Sequence, residues 1–259
     1  MRTSEVKLRD KVAIVTGAGS GIGKAIALAL LQEGARAAVV DINGVALEWT
    51  GSELSGHTDR VLAIAGDATR GDVAERTVAD ALAKWGRLDI LVNNIGGRIG
   101  GAGLDAPLRD WQATLALSLT SHFLWSQAAA PAMKAQRSGR IVNIASNAGK
   151  YRSNTDGSGI SYSAAKGGVI QLTRSMAHDL GRFGITVNAI APGSVLTEAG
   201  VEEEKHLPPD LKERVYRETP LGYFAAPREM ASIAVFLASD DASYVTGATI
   251  VANGGWCTT

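Results

Sequence analysis

The chain has 259 residues, of which 46% are hydrophobic and 20% are charged. This composition is typical of a globular protein in water, and the length suits one large α/β domain better than two small ones. The 26 basic residues balance the 26 acidic residues, so the net charge is zero. Such a balance gives no reason to expect a nucleic acid or an anionic membrane as a partner.

Three features of the sequence predict a cytoplasmic location. The first ten residues, MRTSEVKLRD, lack the apolar core of a secretory signal, and the longest apolar run, residues 25–31, is far shorter than a membrane span. The single cysteine, Cys257, excludes an internal disulfide and fits a reducing compartment. No histidine accompanies Cys257 in the sequence, so we interpret it as an incidental residue rather than a catalytic thiol.

Short apolar runs alternate with longer helical patterns along the chain. The predicted strands are Val12–Thr16, Ala37–Asp41, Val61–Ala65, Ile90–Asn93, Arg140–Ala145, Thr186–Ile190 and Thr249–Ala252. The predicted helices are Ile22–Glu33, Gly44–Leu54, Asp72–Trp85, Leu108–Ala135, Ser161–Leu180 and Arg228–Ala238. This alternation predicts an α/β fold, a doubly wound parallel sheet of about seven strands with helices on both faces. No linker or repeat divides the chain, which indicates a single domain over residues 1–259.

Residues 194–226 break this alternation. The segment contains the acidic run Glu202–Glu204 and the pair Pro208-Pro209. Long insertions in compact domains are usually functional, and ligands of open α/β sheets bind beyond the carboxyl ends of the strands. We therefore expect residues 194–226 to form a substrate lid, with the acidic run as a solvated helix face.

A glycine-rich segment, TGAGSGIG at residues 16–23, lies between the first predicted strand and the first predicted helix. Gly17 allows a tight turn, Gly21 lets the backbone approach a pyrophosphate, and Gly23 allows close packing of helix on strand. The helix N-terminus offers N–H groups and a positive dipole to phosphates. In this context the segment predicts a Rossmann-like dinucleotide site rather than a turn without a ligand.

An acidic residue at the end of the second strand predicts which dinucleotide binds. Asp41 lies eighteen residues beyond Gly23, where a carboxylate can accept hydrogen bonds from the adenosine ribose hydroxyls. It would repel a 2′-phosphate, and neither Ser20 nor Ile42 supplies a compensating positive charge. The sequence therefore favours NAD over NADP. Asp67, after the third strand, either caps the adenine edge or is an ordinary turn residue.

Tyr162 and Lys166 are four residues apart on a predicted helix, so their side chains share one face. A tyrosine with a pKa of about 10 is a poor base at neutral pH. A nearby ammonium group and a positively charged nicotinamide ring would both favour the phenolate. Beside a hydride acceptor, this pair suits the oxidation of an alcohol or, in reverse, the reduction of a carbonyl.

Over nearly its whole length the chain resembles the short-chain dehydrogenase/reductase family. The matching elements, in order, are Thr16–Gly23, Asp41, Asp67, Asn93-Asn94-Ile95-Gly96, Ser146, Tyr162–Lys166, Pro192-Gly193 with Thr197, Tyr244–Gly247 and Gly254-Gly255. Each motif alone is modest evidence, but the whole set, in the order and at the spacing of the family, is a specific signal of it.

The resemblance implies roles for individual residues. Ser146 would bind the substrate oxygen, Tyr162 would be the general acid/base, and Lys166 would bridge to the nicotinamide ribose and lower the pKa of the tyrosine. Val195 and Thr197 would touch the nicotinamide carboxamide. The full set of expected cofactor contacts is Gly17, Ser20, Gly21, Ile22, Gly23, Asp41, Ile42, Asp67, Ala68, Asn94, Tyr162, Lys166, Val195 and Thr197. The resemblance also implies a homotetramer built on the two long helices around Ala116 and Val169, and no metal.

The chain departs from the family pattern at two places. Ser118 stands where members commonly carry an asparagine that holds a water in a proton relay with the lysine. A hydroxyl can also bind water, but with a different reach and donor set, so Ser118 is expected in the relay as a variant. Tyr162 also follows Ser146 by sixteen residues, a few more than usual, and the excess falls in the polar loop 150–159.

The substrate is expected to be a small, polar or cyclic secondary alcohol or ketone. Arg98 and Arg152 either face the cleft, where they would suit a carboxylate or a polyol, or lie on the solvated surface. The Asn-Asn-Ile-Gly-Gly turn with Ser118 resembles the branch that oxidises cyclic diol carboxylates. Two alternatives are an NADP-linked 3-oxoacyl thioester reductase, which Asp41 opposes, and a catalytically silent dinucleotide sensor, which the intact Ser146, Tyr162 and Lys166 oppose.

Overall fold

Seven strands form one sheet in the order β3-β2-β1-β4-β5-β6-β7, and every neighbouring pair is parallel. The computed structural model describes residues 6–49, 58–151, 159–197, 213 and 216–256. The strands are β1 (Val12–Thr16), β2 (Arg36–Asp41), β3 (Val61–Ala65), β4 (Ile90–Asn93), β5 (Gly139–Ile144), β6 (Ile185–Pro192) and β7 (Thr249–Ala252). The predicted parallel sheet of seven strands is confirmed.

Helices cover both faces of the sheet, as predicted. They are α1 (Gly21–Gln32), α2 (Gly71–Trp85), α3 (Leu108–Leu115), α4 (Ser121–Gln136), α5 (Gly159–Gly181) and α6 (Pro227–Ala238). One apolar layer joins α1 and α6 to the sheet, and the opposite layer joins α2, α4 and α5 to it. Among the described residues, no helix has the length and apolar character needed to cross a membrane.

The central strands are buried along their whole length, because helices cover both faces. Every residue of β1, β4 and β6 is buried. On β1 the side chains of Ala13 and Val15 enter the layer of α1 and α6, whereas Val12 and Ile14 enter the opposite layer. A parallel strand between two helical layers has no solvated face, which explains its continuous apolar run in the sequence.

The order of the strands reverses between β1 and β4. In open α/β sheets this reversal opens a crevice at the carboxyl ends of the strands. The segments that follow β1, β4, β5 and β6 all reach this edge, since the strands are parallel. These are the segments that carry most of the predicted functional residues.

One predicted helix, Leu108–Ala135, contains a local change of winding. Residues Ala116–Thr120 form a π-helical segment between α3 and α4. Within it, the Ser118 hydroxyl bonds out of the helix to the backbone of Gly97. Segments of this kind inside α-helices occur frequently at functional sites.

The predicted helix Gly44–Leu54 is described only in part. Its first residues form a 3-10 turn, Val45–Leu47, which begins after Asn43. The side-chain oxygen of Asn43 accepts hydrogen bonds from the N–H groups of Val45 and Ala46, at 3.1 and 3.4 Å. These bonds satisfy N–H groups at the start of the turn, so Asn43 caps it. The end of the prediction, residues 50–54, lies outside the described residues.

The two ends of the predicted lid pair with each other. Leu196 donates its N–H to the carbonyl of Ala225 at 2.8 Å, and Ala225 donates to the carbonyl of Ser194 at 3.0 Å. This bridge holds the start and the end of residues 194–226 side by side at the carboxyl edge of β6. The central part of the segment lies largely outside the described residues.

Trp125 of α4 packs in the apolar layer that joins α2, α4 and α5 to the sheet, and a substitution can test its contribution to stability. Its side chain is fully buried, and its indole N–H donates to the carbonyl of Ala68 at 2.8 Å. Trp125→Ala would leave a cavity and an unpaired carbonyl, so we expect the free energy of unfolding to fall by about 3–5 kcal/mol. Urea denaturation measures this change. Tyr244→Ala is the control, because the Tyr244 side chain is fully exposed; equal losses in both variants would contradict the assignment of Trp125 to the core.

Candidate active site

A solvent-open cleft lies at the carboxyl edge of the sheet. Many residues predicted from the sequence to be functional line it together: Gly17, Ser20, Gly21, Ile22, Asp41, Asn94, Ser146, Tyr162, Lys166, Val195 and Thr197. The cleft thus brings together the glycine-rich turn after β1, the end of β5 and one face of α5. Residues from separate sequence motifs thus lie at one cleft, and their functional roles stay predictions.

Three glycines of the glycine-rich turn, Gly17, Gly19 and Gly23, are packed so closely that none can be replaced without a shift of its neighbours. A Cβ atom on Gly23 would lie 2.0 Å from the carbonyl oxygen of Gly17. Asn94 holds the same turn from β4, because its side-chain amide donates to the carbonyls of Thr16 and Gly17 at 3.1 and 3.0 Å. Helix α1 therefore begins directly at the cleft, which is the geometry that suits a pyrophosphate group.

Asp41 is fixed at the side of this turn. One carboxylate oxygen accepts the N–H of Gly19 at 2.9 Å, and the other accepts the N–H of Asn43 at 3.0 Å. The half-buried carboxylate still lines the cleft, and each oxygen has lone-pair capacity for a further donor. A ribose diol offers such donors, so the residues present fit the adenosine side of a dinucleotide.

Several predicted cofactor contacts lie away from the cleft walls. Gly23 packs beneath the turn, and the side chain of Ile42 is 74% exposed beyond the cleft. Asp67 accepts hydrogen bonds from the N–H and the hydroxyl of Thr69, at 2.9 and 2.7 Å, so it is built as a turn residue. Ala68 is buried, and its carbonyl is occupied by Trp125.

Lys166 of α5 is the most deeply buried charged side chain of the cleft, at 1% exposed. Its ammonium donates to the carbonyl of Ile144 at 2.7 Å and lies 5.7 Å from the centre of the Tyr162 ring. Burial lowers the pKa of Lys166 from 10.5 to about 7. The loop after β4 approaches so closely that a Cβ on Gly96 would lie 2.6 Å from the Lys166 Nζ. Glycine at position 96 is what leaves room for the ammonium.

Ser118 lies beneath the cleft and does not line it. Its fully buried hydroxyl donates to the carbonyl of Gly97 at 2.8 Å and accepts the N–H of the same residue at 2.9 Å. These bonds occupy the only hydrogen of the hydroxyl and part of its acceptor capacity. Ser118 therefore holds the loop in which Gly96 approaches Lys166. The part of Ser118 in a water relay stays a prediction.

Ser146 lies two residues beyond the end of β5 and lines the cleft. Its hydroxyl oxygen accepts the N–H of Ala148 at 3.1 Å and its hydrogen can be donated to the side-chain oxygen of Asn147 at 3.3 Å. Arg98 points elsewhere, since its exposed guanidinium donates to the carbonyl of Gly100 in its own loop. Arg152 and Cys257 lie outside the described residues.

Sequence reasoning missed some residues of the site. Leu117, Ile144 and Ala145 also line the cleft, and a fully buried histidine, His122, lies behind it on α4. Ile144 and Ala145 could have been found as the residues that lead into Ser146. His122 lies four residues beyond Ser118, so helical spacing from that position is the signal that could have identified it.

Comparison with known proteins places this geometry in a family. A family model described as enoyl-(acyl carrier protein) reductase matches residues 17–257. A 3-oxoacyl-[acyl-carrier-protein] reductase from Thermotoga maritima is 37% identical over 96% of this chain and 99% of its own length. A D-threitol dehydrogenase from Mycolicibacterium smegmatis is 37% identical over 97% of this chain and 95% of its own length.

A solved structure agrees over the full length. It is a 7α-hydroxysteroid dehydrogenase in complex with NADH and 7-oxo glycochenodeoxycholic acid, with a TM-score of 0.89 and 34% identity over 100% of this chain and 99% of that chain. The chain therefore belongs to the short-chain dehydrogenase/reductase family of oxidoreductases, whose members include enzymes that act on CH–OH groups. The resemblance stated from the sequence motifs is confirmed.

The lowered pKa of Lys166 predicts a pH-dependent contribution to stability. Between about pH 7 and pH 10.5 the unfolded chain carries the lysine proton and the folded chain does not, so stability rises with pH in that window. Below pH 7 both states are protonated and this contribution is constant. We expect the difference in unfolding free energy, wild type minus Lys166→Met, to rise by up to about 1.4 kcal/mol per pH unit. Denaturation at several pH values measures it, and a difference that does not change with pH would contradict the assignment.

Proposed function

We propose that this protein is an NAD(H)-dependent oxidoreductase that interconverts a small, polar or cyclic secondary alcohol and its ketone. The observation that carries the proposal is the shared cleft. The glycine-rich turn and Asp41 lie at one side of it, and Ser146, Tyr162 and Lys166 lie at the other. A dinucleotide that spans the cleft would bring its reactive end to the side chains that handle the proton.

In this proposal a bound nicotinamide supplies the hydride acceptor or donor, and the chain supplies the acid–base chemistry. During oxidation Tyr162 accepts the proton of the substrate hydroxyl, and during reduction it returns a proton to the carbonyl oxygen. When it is protonated, Lys166 favours the phenolate through its charge, since its ammonium is held by Ile144 next to the tyrosine ring. Ser146 donates a hydrogen bond to the substrate oxygen and orients it.

The preference for NAD over NADP rests on Asp41. Its carboxylate is fixed by two backbone N–H groups, so it cannot swing aside to admit a 2′-phosphate without losing them. The NADH of the similar hydroxysteroid dehydrogenase supports the same choice by analogy. Neither Asp67 nor Ala68 lines the cleft, so we expect both to act only by shaping the end of the cleft where the adenine would bind.

The proposed lid and the substrate class rest on a second cavity beside the cleft. Asn147 and Ser194, which directly follow cleft residues, line it, and so do Thr219, Leu221, Tyr223 and Ala225 of the segment 194–226. The remaining wall mixes apolar side chains with Asn253 and Glu229. Such a lining suits a ring or short carbon skeleton with polar substituents, which is also the chemistry named by the threitol and hydroxysteroid dehydrogenases among the relatives.

We further propose a cytoplasmic homotetramer, as the family resemblance implies. Val169 is buried in the core of its own chain, so α5 would present other residues to a partner copy. Phe123 of α4 and Leu108 and Trp111 at α3 are the exposed apolar side chains closest in sequence to Ala116. They give the helices around Ala116 apolar surface to bury in an assembly.

A 3-oxoacyl thioester reductase is the second candidate, favoured by the similarity to the Thermotoga maritima enzyme. Asp41 opposes it in its NADP-linked form. A silent dinucleotide sensor is the third, and the complete set of Ser146, Tyr162 and Lys166 in one cleft opposes it.

The role of Tyr162 is tested by Tyr162→Phe. The ring remains and the proton donor is lost, so we expect turnover of an alcohol that the wild type oxidises to fall by at least about a hundredfold. NADH binding, followed by fluorescence, should stay within a few-fold of the wild type. Tyr244→Phe is the matched control, since Tyr244 is fully exposed. Near-normal turnover by Tyr162→Phe would refute the mechanism.

The role of Asp41 is tested by the ratio of kcat/KM values for NAD and NADP. Asp41→Ala removes the carboxylate that repels a 2′-phosphate, so the preference for NAD should fall at least tenfold. Asp67→Ala serves as the control because Asp67 bonds only within its own turn among the described contacts. If the ratio is unchanged in Asp41→Ala, Asp41 does not contact the ribose.

A further inference from the structure

The peptide unit between Ala18 and Gly19, in the glycine-rich turn, is hydrogen-bonded at both of its polar ends. Its N–H group, which belongs to Gly19, donates to the Asp41 carboxylate at 2.9 Å. Its carbonyl group, which belongs to Ala18, accepts the indole N–H of Trp49 at 3.0 Å. A trans peptide unit is planar, and its N–H and carbonyl point in opposite directions. Asp41 and Trp49 therefore hold the same rigid unit from opposite sides.

Trp49 is a large buried side chain that the proposed mechanism does not use. It is 6% exposed and packs with Ala18 and Leu47 in the apolar layer that joins α1 and α6 to the sheet. The ammonium of Lys24, on α1, lies 5.9 Å from the centre of the Trp49 ring, within the range of a cation–π contact. The ring thus lies against α1 with its N–H directed at the glycine-rich turn.

The bond between Trp49 and Ala18 lies in the protein interior. Ala18 is fully buried, and its N–H donates to the carbonyl of Val40 on β2 at 3.1 Å. Both backbone groups of Ala18 are therefore bonded to residues outside the turn. A buried carbonyl that loses its donor gains no bond to water in return, so it has reason to move when the donor is removed.

The segment from Asp41 to Trp49 supplies both contacts with this peptide unit. Asp41 ends β2, and the 3-10 turn Val45–Leu47 follows it. Ala46 of that turn lies so close to Gly19 that a Cβ on Gly19 would be 2.7 Å from the Cβ of Ala46. Asp41, Ala46 and Trp49 thus surround the peptide unit.

The position of the Asp41 carboxylate depends on how this peptide unit is oriented. One carboxylate oxygen accepts the N–H of Asn43 at 3.0 Å, from its own segment, and the bond to Gly19 ties the other oxygen to the turn. If the peptide unit rotated, the Gly19 N–H would leave the carboxylate and the Ala18 carbonyl oxygen would approach it. Glycine at position 19 makes such a rotation easy, because it lacks the Cβ that restricts other residues. The indole N–H of Trp49 opposes this rotation by holding the carbonyl.

We propose that Trp49 is a positioning residue for Asp41. It fixes the Ala18 carbonyl, so that the Gly19 N–H stays on the carboxylate and the carboxylate stays where a ribose diol would bind. A fixed carboxylate cannot move away from a 2′-phosphate, whereas a released one can turn towards solvent and repel it less. The effect on the choice of dinucleotide rests on the proposed function, but the effect of Trp49 on the peptide unit does not.

The first test is hydrogen exchange of the Gly19 amide in the cofactor-free protein, measured by mass spectrometry of overlapping fragments. Trp49→Phe keeps an aromatic ring without an N–H, so we expect this amide to exchange roughly tenfold faster, the size of one buried hydrogen bond. Trp49→His can place a ring N–H where the indole N–H lies and should stay close to the wild type. Trp125→Phe is the matched control, because it removes the same kind of bond from the carbonyl of Ala68. It should leave the exchange of Gly19 unchanged.

The second test is direct binding of NADH and NADPH, measured by calorimetry. In Trp49→Phe the ratio of the two Kd values, NADPH over NADH, should fall roughly three- to tenfold. It should stay near the wild-type value in Trp49→His and Trp125→Phe. In an Asp41→Ala background Trp49→Phe should change the ratio no further, because a residue that acts through Asp41 has no effect once Asp41 is gone.

An unchanged exchange rate of Gly19 in folded Trp49→Phe would overturn the proposal. Equal acceleration in Trp49→Phe and Trp49→His would also overturn it and leave Trp49 a packing residue, as would faster exchange with an unchanged ratio of Kd values. If Trp49→Phe does not fold, Trp49→Tyr takes its place, since its ring also lacks an N–H. A wild type that binds neither dinucleotide would refute the proposed function, and the exchange contrast between the Phe and His variants would then decide whether Trp49 holds the peptide unit.

Discussion

The structure depends on the burial of one ammonium group at the carboxyl edge of a parallel sheet. Lys166 reaches from α5 to the carbonyl of Ile144, which lies at the end of β5. Glycine at position 96 lets the loop after β4 approach the ammonium closely, and Ser118 holds that loop through the backbone of Gly97. An isolated buried charge would be too unfavourable to persist, so the carbonyl and the surrounding dipoles must be in place before Lys166 can lie there.

The parallel sheet itself brings the other residues of the cleft to the same edge as Lys166. Parallel strands deliver all their carboxyl ends to one edge, and the reversal between β1 and β4 opens the crevice there. Asn94 ties the end of β4 to the turn after β1, and Asp41 ties the end of β2 to the same turn. Each tie uses a side chain predicted to be functional, so the residues that shape the cleft and those expected to bind the cofactor are largely the same.

Much of this was predictable from the sequence, because local chemistry determines it. The uninterrupted apolar runs of β1 and β4 signal strands covered on both faces, and the glycine spacing after β1 signals the close turn. The sequence also indicates that Asp67 forms a turn, since an Asp side chain typically accepts the N–H of the residue two positions later, here Thr69. The π-helical segment and the burial of His122 were not, because they arise from contacts with the loop after β4 and with β4 itself. No window of the sequence contains those contacts.

The most direct test of the account is whether the purified protein forms NADH from NAD⁺ when it is offered secondary alcohols. A panel of cyclic diols, polyols, hydroxysteroids, hydroxy acids and 3-hydroxyacyl thioesters covers the chemistry that the cleft and the relatives suggest. The account predicts NADH formation with at least one non-thioester alcohol, and much slower reaction with NADP⁺. Tight NADH binding without turnover of any member would contradict it and favour a dinucleotide sensor, whereas reaction with NADP⁺ and thioesters alone would favour a 3-oxoacyl reductase.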